Sequence, residues 1–167
     1  MTRRFLLSLL LVSIAIPAAV FAQGAAKAEP FRNFKLKTLD GVEKRLPDVL
    51  GSKATLVVFF FPSCPYCNAA FPHVQKLYDA NKDKGLSMVW INVVPEEQKQ
   101  IAPWLQKHGY TAPVLLGHRG TPNEYKVTMT PTHYLLDGKG QVVSKKDGYK
   151  AGDELALAAA VAGLLGS

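Results

Sequence analysis

Ala54-Thr55-Leu56-Val57-Val58-Phe59-Phe60-Phe61-Pro62-Ser63-Cys64-Pro65-Tyr66-Cys67 is the stretch that decides the fold. Ala54 to Phe61 carries no charge and is rich in β-branched and aromatic residues, which predicts a central strand buried on both faces. Beyond Cys67, the apolar residues Ala69, Phe71, Val74, Leu77 and Tyr78 recur at helical spacing as far as Gly85. Pro65 suits the first helical position, where a missing N–H is no loss. The two cysteines are therefore expected at the mouth of a helix that follows the carboxyl end of a strand.

That placement has chemical consequences. A helix N-terminus carries roughly half a positive charge and several unpaired N–H groups, which stabilise a thiolate on Cys64. The thiolate is the reactive form, and cysteines so placed have pKa values well below the free value of about 8.5. Cys67, three residues on, shares the same helix face, close enough for a disulfide. Cys64 is then the nucleophile that attacks a disulfide, and Cys67 resolves the mixed disulfide that results. Two other readings stand beside this one. A purely structural disulfide closing so small a ring contributes only about 2 kcal/mol. A zinc or copper site needs further ligands from His73, His108, His118 or His133, none of which is spaced like a ligand pair.

Downstream, Leu86 to Val94 reads as a second buried strand, so the unit is strand–helix–strand with parallel pairing and a right-handed crossover. Glu96 to His108 predicts a helix stopped by Gly109, with a kink or a later start at Pro103. Pro113–Leu116 is a short strand and Asn123–Lys126 a helical turn. Met129-Thr130-Pro131-Thr132 leads into a strand at His133–Leu136. The turn Asp137-Gly138-Lys139-Gly140 then makes a hairpin with Gln141–Lys145, and the sheet is mixed. Asp153 to Leu164 closes the chain as an alanine-rich amphipathic helix capped by Asp153. Upstream, Asn33–Lys37 and Glu43–Leu46 flank the turn signal Asp40-Gly41 and predict an edge hairpin.

A chain of 167 residues, 48% of them hydrophobic, suffices for one domain with its own core. The net charge is +7 and the basic residues are scattered among acids, a pattern that excludes a nucleic-acid stripe. Met1 to Ala22 reads as a signal peptide: Arg3-Arg4, an apolar run from Phe5 to Ile16, Pro17, and Val20-Phe21-Ala22 before cleavage after Ala22. An uncleaved membrane anchor is the alternative, since Phe5–Ala22 is at the lower edge of spanning length. Residues 23–30 are a flexible lead-in and residues 31–167 the domain. Either way the domain is expected outside the cytoplasm, in the periplasm, where a dithiol pair persists oxidised.

The order of elements, with Cys64-Pro65-Tyr66-Cys67, Pro72 and Thr130-Pro131, resembles the thioredoxin fold. The strand and helix between Cys67 and Pro131 resemble the insert of the TlpA-like branch, the exported thioredoxin-like proteins. So does the opening Phe34-Lys35-Leu36 with Asp40-Gly41 and Gly51-Ser52-Lys53. The resemblance covers about residues 31–165. It implies an α/β domain with a mixed central sheet flanked by helices, an N-terminal hairpin and a central strand–helix insert. It also implies that Thr130-Pro131 holds the superfamily's cis-proline. There it faces the cysteines and, with Pro65 and Tyr66, contacts the substrate.

Two family acids are missing. Thioredoxin's buried acid, six residues before the first cysteine, is Val58 here, and the glutamate common in apocytochrome c reductants is Ala70. His133 is the candidate proton relay in their stead. Trp, usual just before the first cysteine in reducing members, is replaced by Ser63. The Pro-Tyr dipeptide is similar to that of glutaredoxins, whose potentials lie at about −200 to −230 mV. A peroxiredoxin reading, prompted by Phe60-Phe61-Pro62, lacks the hydroxyl residue that chemistry wants three before the cysteine; Phe61 stands there. Phe60, Pro62 and Tyr134 are expected to form an apolar rim. The implied function is reduction of protein or peptide disulfides by a monomer without a cofactor, supplied with electrons by a membrane thiol relay. The rivals are a dithiol oxidant and a copper metallochaperone using both thiols and a histidine.

Overall fold

The computed structural model describes residues 29–166; the expected signal peptide and its cleavage site lie outside them. The chain runs β1 (Lys35–Thr38), β2 (Glu43–Arg45), β3 (Ala54–Phe60), α1 (Pro65–Asn81), β4 (Leu86–Asn92), α2 (Gln98–His108), β5 (Val114–Leu116), α3 (Thr121–Glu124), β6 (Thr132–Asp137), β7 (Val142–Asp147) and α4 (Asp153–Leu165). The strands form one sheet in the order β2-β1-β5-β4-β3-β6-β7. β3, β4 and β5 are parallel, and every other pairing is antiparallel. The predicted mixed sheet and edge hairpin are both present.

β3 lies inside the sheet between β4 and β6, and every one of its residues is buried, because alternate side chains enter two different cores. Ala54, Leu56, Val58 and Phe60 face α1, α2 and α4, where they meet Phe71, Ile101, Trp104 and Val161. Val57 and Phe59 face the other way, toward Phe31, Phe34, Tyr125 and Tyr134. A strand covered on both sides gains nothing from polar alternation, which is why Ala54–Phe60 reads as a continuous apolar run.

The first core is built on rings. Phe71 of α1 packs tilted against Trp90 of β4 with ring centroids 4.3 Å apart, and Phe60 and Trp104 close around them at 5.5–5.9 Å. These contacts fix how α1 sits on the sheet, and hence where its N-terminus points.

Several boundaries differ from expectation for local reasons. α1 ends at Asn81 and tightens into a 3-10 turn, Lys82–Lys84, stopped by Gly85 at φ +103. The same tightening occurs at Pro95–Glu97 before α2, while Pro103 lies within that helix. Asp153 is the first residue of α4 rather than its cap: Gly152 occupies that position, and the Asp153 carboxylate accepts from the Lys150 N–H at 2.9 Å. Glu29 and Pro30, read as part of a flexible lead-in, pair with the start of β7 through Val142 N–H to Glu29 O and the Pro30–Gln141 bridge. Among the described residues no helix is long and apolar enough to cross a membrane.

Candidate active site

Cys64 is the N-cap of α1, and Pro65 opens the helix as expected. Its Sγ accepts from the Cys67 N–H at 3.1 Å, so one of the helix's unpaired donors is aimed at the sulfur. Cys64 and Cys67 are disulfide-bonded with Cα atoms 5.2 Å apart, and no other cysteine is present. Both are buried, Cys64 at 2% exposure and Cys67 at 0%. The inner cysteine is the better shielded, which fits a resolving role.

The second predicted stretch arrives from 66 residues away. The peptide bond Thr130–Pro131 is cis, and Cys64 Sγ lies 3.3 Å from the Thr130 hydroxyl and 3.7 Å from its carbonyl oxygen. The β3–β6 pairing makes this contact, since it sets the start of β6 beside the end of β3. Thr132 anchors the loop: its hydroxyl lies 2.5 Å from the Met129 carbonyl oxygen and 2.6 Å from the Asp147 carboxylate, two acceptors that share its one proton. Tyr66 and Met129 are the exposed apolar side chains here, at 61% and 58%.

The expected rim is corrected. Phe60 is fully buried among the rings under α1, Pro62 is buried, and Tyr134 faces the opposite core with its hydroxyl donating to the Tyr125 carbonyl at 2.6 Å. Alternation along β6 puts Tyr134 on the far side from the cysteines.

His133 lies one residue into β6, on the cysteine side of the sheet, opposite Val58 on β3 and Lys146 on β7. It also lines a cavity of about 240 Å³ with Ala70, Val74, Leu135 and Leu157. Val58, one of the two positions that lack the family's acid, is thus the cross-strand partner of His133, and Ala70, the other, lines the same cavity. Its Nε2 is buried without a hydrogen-bond partner among the described residues. Burial pulls its pKa down to about 4, with Asp153 acting upward and Lys146 downward. At neutral pH it is an uncharged ring.

A stability prediction follows from the sign of that shift. Below its ordinary value of 6.5 the unfolded histidine takes up a proton that the buried one refuses until about pH 4. Stability is thus lost as pH falls from about 6.5 to 4, by on the order of 3 kcal/mol at the end of the window. Urea midpoints at pH 7 and pH 4.5 should differ strongly in the wild type and much less in His133→Phe. An equal drop in both would assign the loss to other groups.

Two residues around the dithiol carry no motif. Asn68 donates to the carbonyls of Pro62 and Cys64, both at 3.0 Å, and accepts from Trp104 Nε1 at 2.9 Å, so it ties the turn before the helix to α2. Glu97, just before α2, accepts from the Ser63 N–H at 2.9 Å and the Ser63 hydroxyl at 2.7 Å. Asn68 could have been suspected from its spacing of four from Cys64. Nothing in the sequence joins Glu97 to Ser63 across 34 residues.

The AhpC/TSA family profile matches residues 28–145. Sporulation thiol-disulfide oxidoreductase A of Bacillus subtilis (strain 168) is 31% identical over 140 residues, which cover 79% of this chain and 84% of that protein. Thiol-disulfide oxidoreductase ResA of Geobacillus kaustophilus (strain HTA426) is 30% identical over 111 residues, covering 66% and 63%. The crystal structure of StoA from Bacillus subtilis superposes with a TM-score of 0.61 at 26% identity, over 77% of this chain and 97% of that one. Sequence match and site geometry agree: the chain belongs to the AhpC/TSA family, among its TlpA-like thiol–disulfide oxidoreductases.

Proposed function

We propose that the protein is a periplasmic reductant of protein or peptide disulfides, exported by a signal peptide cleaved after Ala22. The observation that carries this reading is a buried helix-capping Cys64 held against Thr130, just ahead of cis-Pro131. In the reduced protein the Cys64 thiolate attacks one sulfur of a substrate disulfide, and the other leaves as a thiolate. Cys67 loses its proton and attacks Cys64 Sγ, releasing the second substrate thiol and leaving the protein disulfide. The substrate gains two electrons, and a membrane thiol relay restores the dithiol.

Thr130 and Pro131 offer backbone to the substrate chain, and Pro65 and Tyr66 supply exposed surface beside the sulfur. His133 serves the Cys67 proton as a relay: a ring held near 4 can pass a proton on but retains little of it at neutral pH. The protein works as a monomer. Among the described residues no cluster of three or more His, Cys, Asp or Glu side chains suited to a metal occurs.

The test is the reduction potential of residues 23–167, read by thiol alkylation in glutathione buffers. A value at or below about −220 mV is expected of a reductant. A value above about −180 mV would make the protein an oxidant or isomerase instead.

A further inference from the structure

Ser63 occupies the position immediately before the nucleophile, and both of its donors are captured by the carboxylate of Glu97. The bond to the Ser63 N–H places the carboxylate one peptide unit from Cys64. Consecutive Cα atoms are about 3.8 Å apart, so the charge lies within roughly 8 Å of the Cys64 backbone. Its neighbour Glu96 pairs with Arg119, whereas Glu97 has no ion-pair partner among the described residues. The groups around the Cys64 sulfur are thus the α1 N-terminus and the Thr130 hydroxyl, both favouring negative charge, and the Thr130 carbonyl oxygen and Glu97, both opposing it.

We propose that Glu97 is a positioning and tuning residue that, through Ser63, holds a negative charge beside Cys64 and makes the dithiol a stronger reductant. The physical reason is differential. The reduced form carries a Cys64 thiolate and the disulfide carries no charge, so a fixed carboxylate raises the free energy of the reduced form only. The dithiol then gives up its two electrons more readily to a partner disulfide, which becomes two thiols. The bidentate grip matters because an untethered surface carboxylate would be screened and mobile. The same grip fastens the strand–helix insert to the active-site turn, so the insert has a part in the chemistry as well as in the packing. This inference rests on the thiol–disulfide activity and adds a cause for the donor direction proposed above.

Glu97→Gln tests it, because the amide can still accept from the Ser63 N–H and donate to the Ser63 oxygen while the charge is gone. In glutathione buffers the variant's equilibrium should move three- to tenfold toward the dithiol, which is about 15–30 mV higher in potential at 29.6 mV per tenfold. The pH profile of Cys64 alkylation should move about half a unit to one unit lower, because the carboxylate no longer opposes the thiolate. Glu97→Asp, which keeps the charge, should restore most of the wild-type potential. Ser63→Ala, which removes one hydrogen bond and leaves the charge, should move it less than Glu97→Gln does. Equal potentials for the wild type and Glu97→Gln would overturn the proposal and leave Glu97 a structural tether. A wild type that titrates as an oxidant, with Glu97→Gln still shifted upward, would refute the reductant reading alone.

Discussion

Cys64→Ser should abolish disulfide exchange, by at least about a thousandfold, while Cys67→Ser should accumulate a covalent adduct with its substrate. The difference comes from position on α1. Cys64 caps the helix beside Thr130, where a thiolate is stabilised and a partner sulfur can approach. A serine hydroxyl there stays protonated and cannot attack. Cys67, fully buried one turn further in, acts only on Cys64. Without it the first step proceeds and the mixed disulfide persists, because the resolving thiol is gone. The adducts are read on non-reducing gels of cell extracts, with reductant reversing them. If Cys67→Ser forms no adduct with model peptide disulfides that the wild type reduces, the division of labour between the two cysteines is wrong.

Phe71→Ala should be the most damaging change outside the dithiol, costing about 3–5 kcal/mol. Phe71 is fully buried one turn beyond Cys67, and its ring meets Trp90, Phe60, Trp104 and Tyr110 at 4.3–6.2 Å. Removing it empties the centre of the ring cluster and also loosens the seat of α1. Domains of this size are typically stable by only about 5–15 kcal/mol, so the variant should sit near the edge of folding. Urea unfolding at pH 7 should show a midpoint lower by about 1–3 M with a similar slope. Tyr66→Ala, on the exposed first turn, should change stability by no more than about 0.5 kcal/mol, though it removes surface beside the sulfur. A Phe71→Ala midpoint within 0.5 M of wild type would mean that the ring cluster does not hold the helix.

The site was legible in unequal parts. The dithiol, Pro65 and the strand before them are local, and their chemistry follows from a strand end, a helix start and a spacing of three. The rim was misplaced because a fully buried strand and its neighbours give no alternation from which to read which face a ring occupies. Phe60 and Tyr134 went to opposite cores on that account. The Glu97–Ser63 grip left no trace, since a carboxylate after Pro95 looks like any acid at a helix start.

By itself the sequence determined the order of elements, the mixed sheet and the redox pair, because each rests on periodicity, turn residues or contacts within one helical turn. Only the tertiary structure decided what surrounds the sulfur. Thr130 comes to Cys64 through the pairing of β6 with β3, and Glu97 to Ser63 through the packing of the insert. His133 comes beside Val58 in the same way, across the sheet, and shares a cavity with Ala70 of α1. These approaches join residues tens of positions apart, and their energies depend on burial and on charge separation in space. No local pattern encodes either quantity.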